Sequence, residues 1–252
     1  MKANPIVGHG TPVEAWRSCP LLAQLPRVEV DRLVPTGTRA VIVAPHPDDE
    51  VLGSGGLLQH LIALGRPVLL IAVTDGTASH PGSQRWPVDR LSNERPRESV
   101  EALRRLGADP QQLSWLRVGL PDSQVPASQA RLQSFLQAHL KSDDVVFATW
   151  SEDGHCDHEA VGRASRAAAE AVGACVHELP IWTWHWARPQ DPRVPWQRAR
   201  KIALSPAMVA RKRHAALAFV SQLEGDPTVG LAPVLSSRVL ERLLQPFEVV
   251  FL

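Results

Sequence analysis

Residues 46–50 read His-Pro-Asp-Asp-Glu, placing one imidazole and three carboxylates within five positions. Like charges at that spacing repel one another unless a cation or a helix end takes them up. A helix start would use one or two of the acids, because a capping carboxylate and the helix dipole both favour negative charge there. That reading gives His46 no task. A divalent metal does: His46 and Asp49 are three apart across a turn, so a ring nitrogen and a carboxylate oxygen can converge on one ion. Asp48, adjacent but directed elsewhere, is then free to take a proton from water. Two ligands do not complete a site, so the motif predicts a third elsewhere.

A second cluster meets that prediction. Residues 154–159 read Gly-His-Cys-Asp-His-Glu, with His155 and His158 three apart and Asp157 between them. With His158 as third ligand the set is two histidines and one aspartate with an open position, the composition of a catalytic zinc rather than a closed structural one. Taken alone, the stretch reads equally well as a capped helix start with two solvated histidines. Its position relative to the first cluster tips the balance toward metal. Cys156 has no second thiol nearby and reads as a filler position.

Both clusters follow short aliphatic runs and precede amphipathic ones. Strand-like runs at 39–44, 67–73, 113–118, 144–149, 174–182, 199–205 and 247–252 alternate with helix-like segments near 52–64, 90–106, 128–141, 158–172, 206–222 and 234–245. This alternation predicts an α/β, Rossmann-like fold: a largely parallel central sheet with helices on both faces. Ligands of such sheets bind outside the carboxyl ends of the strands, where both clusters would sit. Gly53, Ser54, Gly55 and Gly56 superficially suit a dinucleotide loop, but the acids before them would repel a pyrophosphate, so close helix packing is the better reading. Residues 1–38, rich in Pro and Gly with one short helix near 14–25, read as an N-terminal wrap or extension, and 39–252 as a single domain. Residues 180–195 are long enough for an inserted loop or lid.

Composition narrows the function classes. The apolar fraction of 44% is ordinary for a globular chain, and a formal net charge of +1 gives no electrostatic reason to expect nucleic acid or an anionic membrane as partner. The sequence has no stretch of ~20 uninterrupted apolar residues, so membrane insertion is not expected. Three scattered cysteines fit reduced thiols, and the reading is a soluble, cytoplasmic protein. Tyr is absent, while Trp occurs eight times.

The motifs resemble the PIG-L/LmbE-like family of zinc-dependent N-deacetylases, which includes enzymes acting on N-acetylglucosaminyl phosphatidylinositol and on glucosaminyl precursors of mycothiol and bacillithiol. The resemblance rests on PHPDDE, on TDG at 74–76, on ERPRESVEALRRLG at 94–107, on GLPDS at 119–123, on GHCDHE and on RKRHAALAFVSQ at 211–222. It implies that His46, Asp49 and His158 bind Zn2+ and that Asp48 is the general base. His155, oriented by Asp157, would protonate the leaving amine or steady the oxyanion, and Arg95, in an R-x-x-E pattern with Glu98, would contact substrate. Some relatives place a tyrosine at the oxyanion, and this chain has none.

The segment Ile181–Pro189 places Trp182, Trp184 and Trp186 at alternate positions, so an extended backbone would put all three on one face. That face could stack on a sugar, and covering the sheet edge or forming an oligomer contact are equal alternatives. The expected activity is removal of an N-acetyl or other N-acyl group from a small amino sugar or glycoconjugate by metal-activated water. The rivals are amide hydrolysis of a non-sugar substrate and a catalytically silent carbohydrate-binding module. A homo-oligomer is left open.

Overall fold

The computed structural model describes residues 6–109 and 113–252. The chain begins with three short helices, α1 (Val13–Arg17), α2 (Pro20–Gln24) and α3 (Val30–Leu33), and then enters strand β1 (Ala40–Ala44). After it come α4 (Asp49–Leu52), α5 (Gly55–Ala63), β2 (Val68–Thr74), α6 (Val88–Leu106), β3 (Ser114–Leu120), α7 (Gln129–His139), β4 (Val145–Thr149) and α8 (Cys156–Val172). The remainder comprises β5 (Cys175–Leu179), α9 (Thr183–Trp186), β6 (Ala199–Ala203), α10 (Pro206–Ala216), α11 (Val220–Leu223), α12 (Ser237–Leu243) and β7 (Phe247–Phe251).

The strands form one mixed sheet in the order β3-β2-β1-β4-β5-β7-β6. The first five are parallel and β7 runs antiparallel to both its neighbours. The five-residue β1 and β4 are buried throughout, which is why their sequences are unbroken apolar runs rather than alternating ones. Alternation still divides them between two faces. Ile42 and Phe147 face a core shared with α5, α6, α10 and the N-terminal helices, whereas Val41, Val43 and Val146 face α7 and α8. Trp16, Leu22 and Leu33 lie in the first of these cores, so α1, α2 and α3 pack as part of it.

Chain order reverses at β1, which has β2 on one side and β4 on the other. Loops leaving β1 and β4 therefore diverge to opposite faces and open a crevice at the carboxyl edge, the usual place for a ligand in such sheets. Four expected elements differ, the first being the single short helix near 14–25, which is two, α1 and α2. The expected helix over 52–64 is two helices, interrupted at Gly53 and Ser54. The one over 206–222 is broken between Ala216 and Val220, and the strand over 174–182 ends at Leu179 because the chain turns there to make α9.

Candidate active site

The turn after β1 is held by its own acid: the His46 backbone N–H donates to Asp49 Oδ2 at 3.0 Å. The same oxygen lies 3.2 Å from His46 Nδ1 and 3.2 Å from His158 Nε2, the latter reaching across from the start of α8. The three predicted ligands, contributed by the loops after β1 and β4, thus converge on one point.

Hydrogen bonding assigns the proton positions on both rings. His158 Nδ1 donates to Asp153 Oδ2 at 2.9 Å, and that carboxylate is already an acceptor for the Ile181, Trp182 and Thr183 backbone N–H groups and the Thr183 hydroxyl. His46 Nε2 faces Asp122 Oδ1 and Asp157 Oδ2, each at 3.2 Å. With the outer nitrogens donating, the inner ones, His158 Nε2 and His46 Nδ1, present lone pairs to a carboxylate oxygen. His158 Nε2 is buried and makes no hydrogen bond. Three electron-rich atoms facing one another at these distances call for a cation, and the donor set of two imidazoles and one carboxylate fits a divalent metal backed by outer carboxylates. Although burial opposes it, the surrounding acids hold His46 well above its usual range and raise His158 to about 9, the mark of a site that draws positive charge. Asp49 is held below the carboxylate range, since the two histidines outweigh its burial.

Among the described residues, the groups of three that bring ligand atoms within 4.8 Å of one another are His46, His155 and His158, and His46, Asp122 and Asp157. Both are poorer sets. His155 Nδ1 already accepts the Asp157 backbone N–H at 3.2 Å as the cap of α8, while Asp122 and Asp157 accept the Ala78, Ser123 and Val125 N–H groups.

Asp48 sits at the mouth of this cluster with an unusual backbone conformation (φ 157°, ψ −28°). Its N–H donates to Glu50 Oε2 and its Oδ2 accepts from Arg95. Burial pushes its carboxyl up to about 7, against the pull of the Arg95 guanidinium. Arg95 is itself buried and also donates to the Gly76 and Pro47 carbonyls. A Cβ on residue 76 would lie 1.7 Å from the guanidinium, so glycine is required there. Arg95 is thus no surface ion pair; its partner is Asp48, and Glu98 instead accepts from the Ser221 backbone and hydroxyl. His155 lies with its ring 4.8 Å from that of His46, and its pKa is driven down to about 3 by burial and by the neighbouring histidines. A neutral ring whose Nδ1 accepts carries its proton on Nε2.

Two expectations need correction. The Asp157 carboxylate does not orient His155: it faces His46 and accepts the Ser123 and Val125 N–H groups, and only the Asp157 backbone N–H meets His155. The three tryptophans do not share one face, because residues 183–186 are helical. Trp182 and Trp184 line the cavity beside the cluster, whereas Trp186 stacks on Trp150 and donates to the Asp153 carbonyl. Within the 180–195 segment, residues 181–183 and Trp186 are tied to Asp153. Asp153 and Asp122, both missed as site residues, stand within reach of the motifs, in WSEDGHCDH and GLPDS. An acid close to an otherwise ligating histidine is the signal that could have found Asp153.

The cavity holds about 220 Å³ and is bounded at one end by this cluster and elsewhere by Leu52, Ile181, Leu235, Val239 and Leu243. Among the described residues no helix is long and apolar enough to cross a membrane.

The chain is 28% identical over 170 residues to the 1D-myo-inositol 2-acetamido-2-deoxy-alpha-D-glucopyranoside deacetylase of Mycobacteroides abscessus, an alignment covering 59% of this chain and 61% of that protein. It thus spans about three fifths of the relative's length. Its fold matches teicoplanin deacetylase Orf2 in a zinc-inhibited form, with a TM-score of 0.63, 19% identity, and coverage of 85% of this chain and 97% of that one. It also matches the N,N'-diacetylchitobiose deacetylase of Pyrococcus horikoshii, with a TM-score of 0.58, 19% identity, and coverage of 85% and 80%. The family model for PIG-L, GlcNAc-PI de-N-acetylase, matches residues 41–169, which hold both clusters and the crevice strands, and the chain belongs to that family.

Proposed function

We propose that this protein is a zinc-dependent N-deacetylase that hydrolyses the N-acetyl group of a small amino sugar or glycoconjugate. One observation carries the reading: the lone pairs of His46 Nδ1 and His158 Nε2 converge on Asp49 Oδ2, with the orphaned His158 nitrogen lacking any other partner. The family membership and the deacetylase names of the relatives supply the reaction class. The three free cysteines fit a reducing, cytoplasmic setting.

His46, Asp49 and His158 would hold the divalent metal, which when bound would supply a Lewis acid and lower the pKa of water to near neutrality. The protein's own groups do the rest. Asp48, its carboxyl pushed up to about 7 by burial and one oxygen fixed by Arg95, is placed to take a proton from the attacking water. His155, neutral and donating from Nε2, can steady the developing oxyanion in place of the absent tyrosine, and the leaving amine takes up the proton that Asp48 collects from water. Asp122 and Asp157 hold the His46 ring, and Asp153 that of His158.

The test is acetate release from N-acetylglucosamine and its glycosides, with metal content measured on the same sample. Stoichiometric zinc and activity lost together in His46→Ala are expected. A chain without metal, or one in which His46→Ala retains both, would sink the reading.

A further inference from the structure

The cavity contains a second feature that amide hydrolysis leaves unused. Arg242, on α12, is 5% exposed and lines the cavity together with His185, Trp182 and Trp184. Its hydrogen bonds run to the His9 carbonyl at 3.0 Å, the Thr11 carbonyl at 3.2 Å and His185 Nδ1 at 2.9 Å. All three acceptors are uncharged: because His185 Nδ1 accepts from a guanidinium, its proton is on Nε2, which donates to the Val7 carbonyl. Among the described residues no carboxylate lies within ion-pair distance of Arg242. Its neighbour Glu241 is exposed and acts on it only at a distance, and the exposed Arg238 opposes that effect.

Burying a cation without a counter-charge is costly, and proteins ordinarily avoid it by pairing. The other buried cations near this cavity follow that rule: Arg95 meets Asp48, and Lys212 meets Glu248. Arg242 alone of the three meets only neutral acceptors. Carbonyl dipoles solvate its N–H groups but do not neutralise it. The guanidinium has five N–H donors, and the three bonds above leave two of them available.

We infer that the substrate carries an anionic group, a carboxylate or a phosphate, that docks on Arg242 while its amide lies at the His46–Asp49–His158 cluster. This rests on the deacetylase reading and narrows its substrate class. Leu52 and Trp184 face both this cavity and the smaller one that Arg242 also borders.

The test compares three probes: the methyl glycoside of N-acetylglucosamine, N-acetylglucosamine 1-phosphate, and N-acetylmuramic acid, whose lactyl ether supplies a carboxylate. Dissociation constants are measured by titration in an Asp48→Asn background, which suppresses turnover. At least one anionic sugar should bind roughly 10- to 100-fold more tightly than the methyl glycoside, the range for charge-assisted hydrogen bonds. The advantage should vanish in Arg242→Gln and survive in part in Arg242→Lys. The phosphate and carboxylate arms identify the anion. Equal binding of all three probes, or an advantage that persists in Arg242→Gln, overturns the inference. If Arg242→Gln fails to fold for want of the His9 and Thr11 contacts, the three-probe comparison in the unsubstituted residue-242 background and in Arg242→Lys still decides. Acetate release is scored separately with Asp48 intact: hydrolysis without anion preference removes this inference alone, and anion preference without hydrolysis removes the deacetylase reading.

Discussion

Two clusters of buried charge lie on either side of α4, and only one of them is complete. At the start of α5, Glu248 accepts the Gly56 and Leu57 N–H groups and the Lys212 ammonium, which in turn donates to the Leu52 carbonyl. The glycine run suggestive of an anion loop does cap an anion at its N–H groups, but the anion is the protein's own. Every charge in that cluster has its partner. At the carboxyl edge of β1 and β4, by contrast, the outer carboxylates are satisfied while the inner ring nitrogens of His46 and His158 both face Asp49 Oδ2, and His158 Nε2 has no hydrogen-bond partner. Structural networks close on themselves, whereas a binding site is recognised by the atom left over.

The contrast is broken most severely by removing what the open cluster awaits. Asp49→Ala should abolish both metal retention and turnover, and chelation of the parent protein should do the same. Chelation should also lower its melting temperature, since a ligand at 100 times its dissociation constant stabilises by about 2.7 kcal/mol. A chelated sample that keeps its activity would contradict the distinction.

Asp48→Asn tests the base without touching the ligands. The amide keeps an oxygen for Arg95 but cannot take a proton, so kcat should fall by roughly 10²- to 10⁴-fold with metal content unchanged. Loss of metal in this variant would mean that Asp48 is a ligand rather than a base.

The closed cluster should respond in stability alone. Lys212→Met strands the Glu248 carboxylate and should cost about 3–5 kcal/mol in denaturant unfolding, with metal content unaltered. Leu52 and Gly53 connect the two clusters along α4, so a parallel loss of metal affinity would show that they act as one unit.

How much of this was legible in the sequence follows the same division. Unbroken runs such as AVIVA and VVFAT announced parallel strands buried on both faces, and the acids beside His46 and His158 announced chemistry, because local spacing carries both signals. What depended on distant partners was hidden. Lys212, in a stretch reading RKRH, resembles a solvated charge run, and its burial depends on Glu248, 36 positions away. Arg95 was legible as a functional residue from its R-x-x-E pattern, but nothing near it in the sequence names Asp48, 47 positions away, as its partner. Alternating tryptophans look like one face of a strand, but the Asp153 carboxylate gathers three successive N–H groups and winds the segment into a turn of helix. No periodicity within residues 181–186 reports an acceptor at 153.

Asp153 belongs to both kinds of cluster, which makes it the finest test of the comparison. One of its oxygens receives the Ile181 and Thr183 groups, the other receives the Trp182 N–H and His158 Nδ1. Asp153→Asn replaces one oxygen with an NH2 group, so whichever way the amide turns, a donor faces a donor. If the amide nitrogen turns toward His158, the ring loses the bond that keeps Nε2 free, and metal affinity should drop by about 10- to 100-fold in a chelator competition. If it turns toward Ile181 and Thr183, the cavity wall loosens instead, raising KM while metal affinity holds. The first outcome assigns Asp153 to the open cluster and the second to the closed one. A variant with parental metal affinity, KM and melting temperature would show that the His158 tautomer is fixed by something other than this carboxylate.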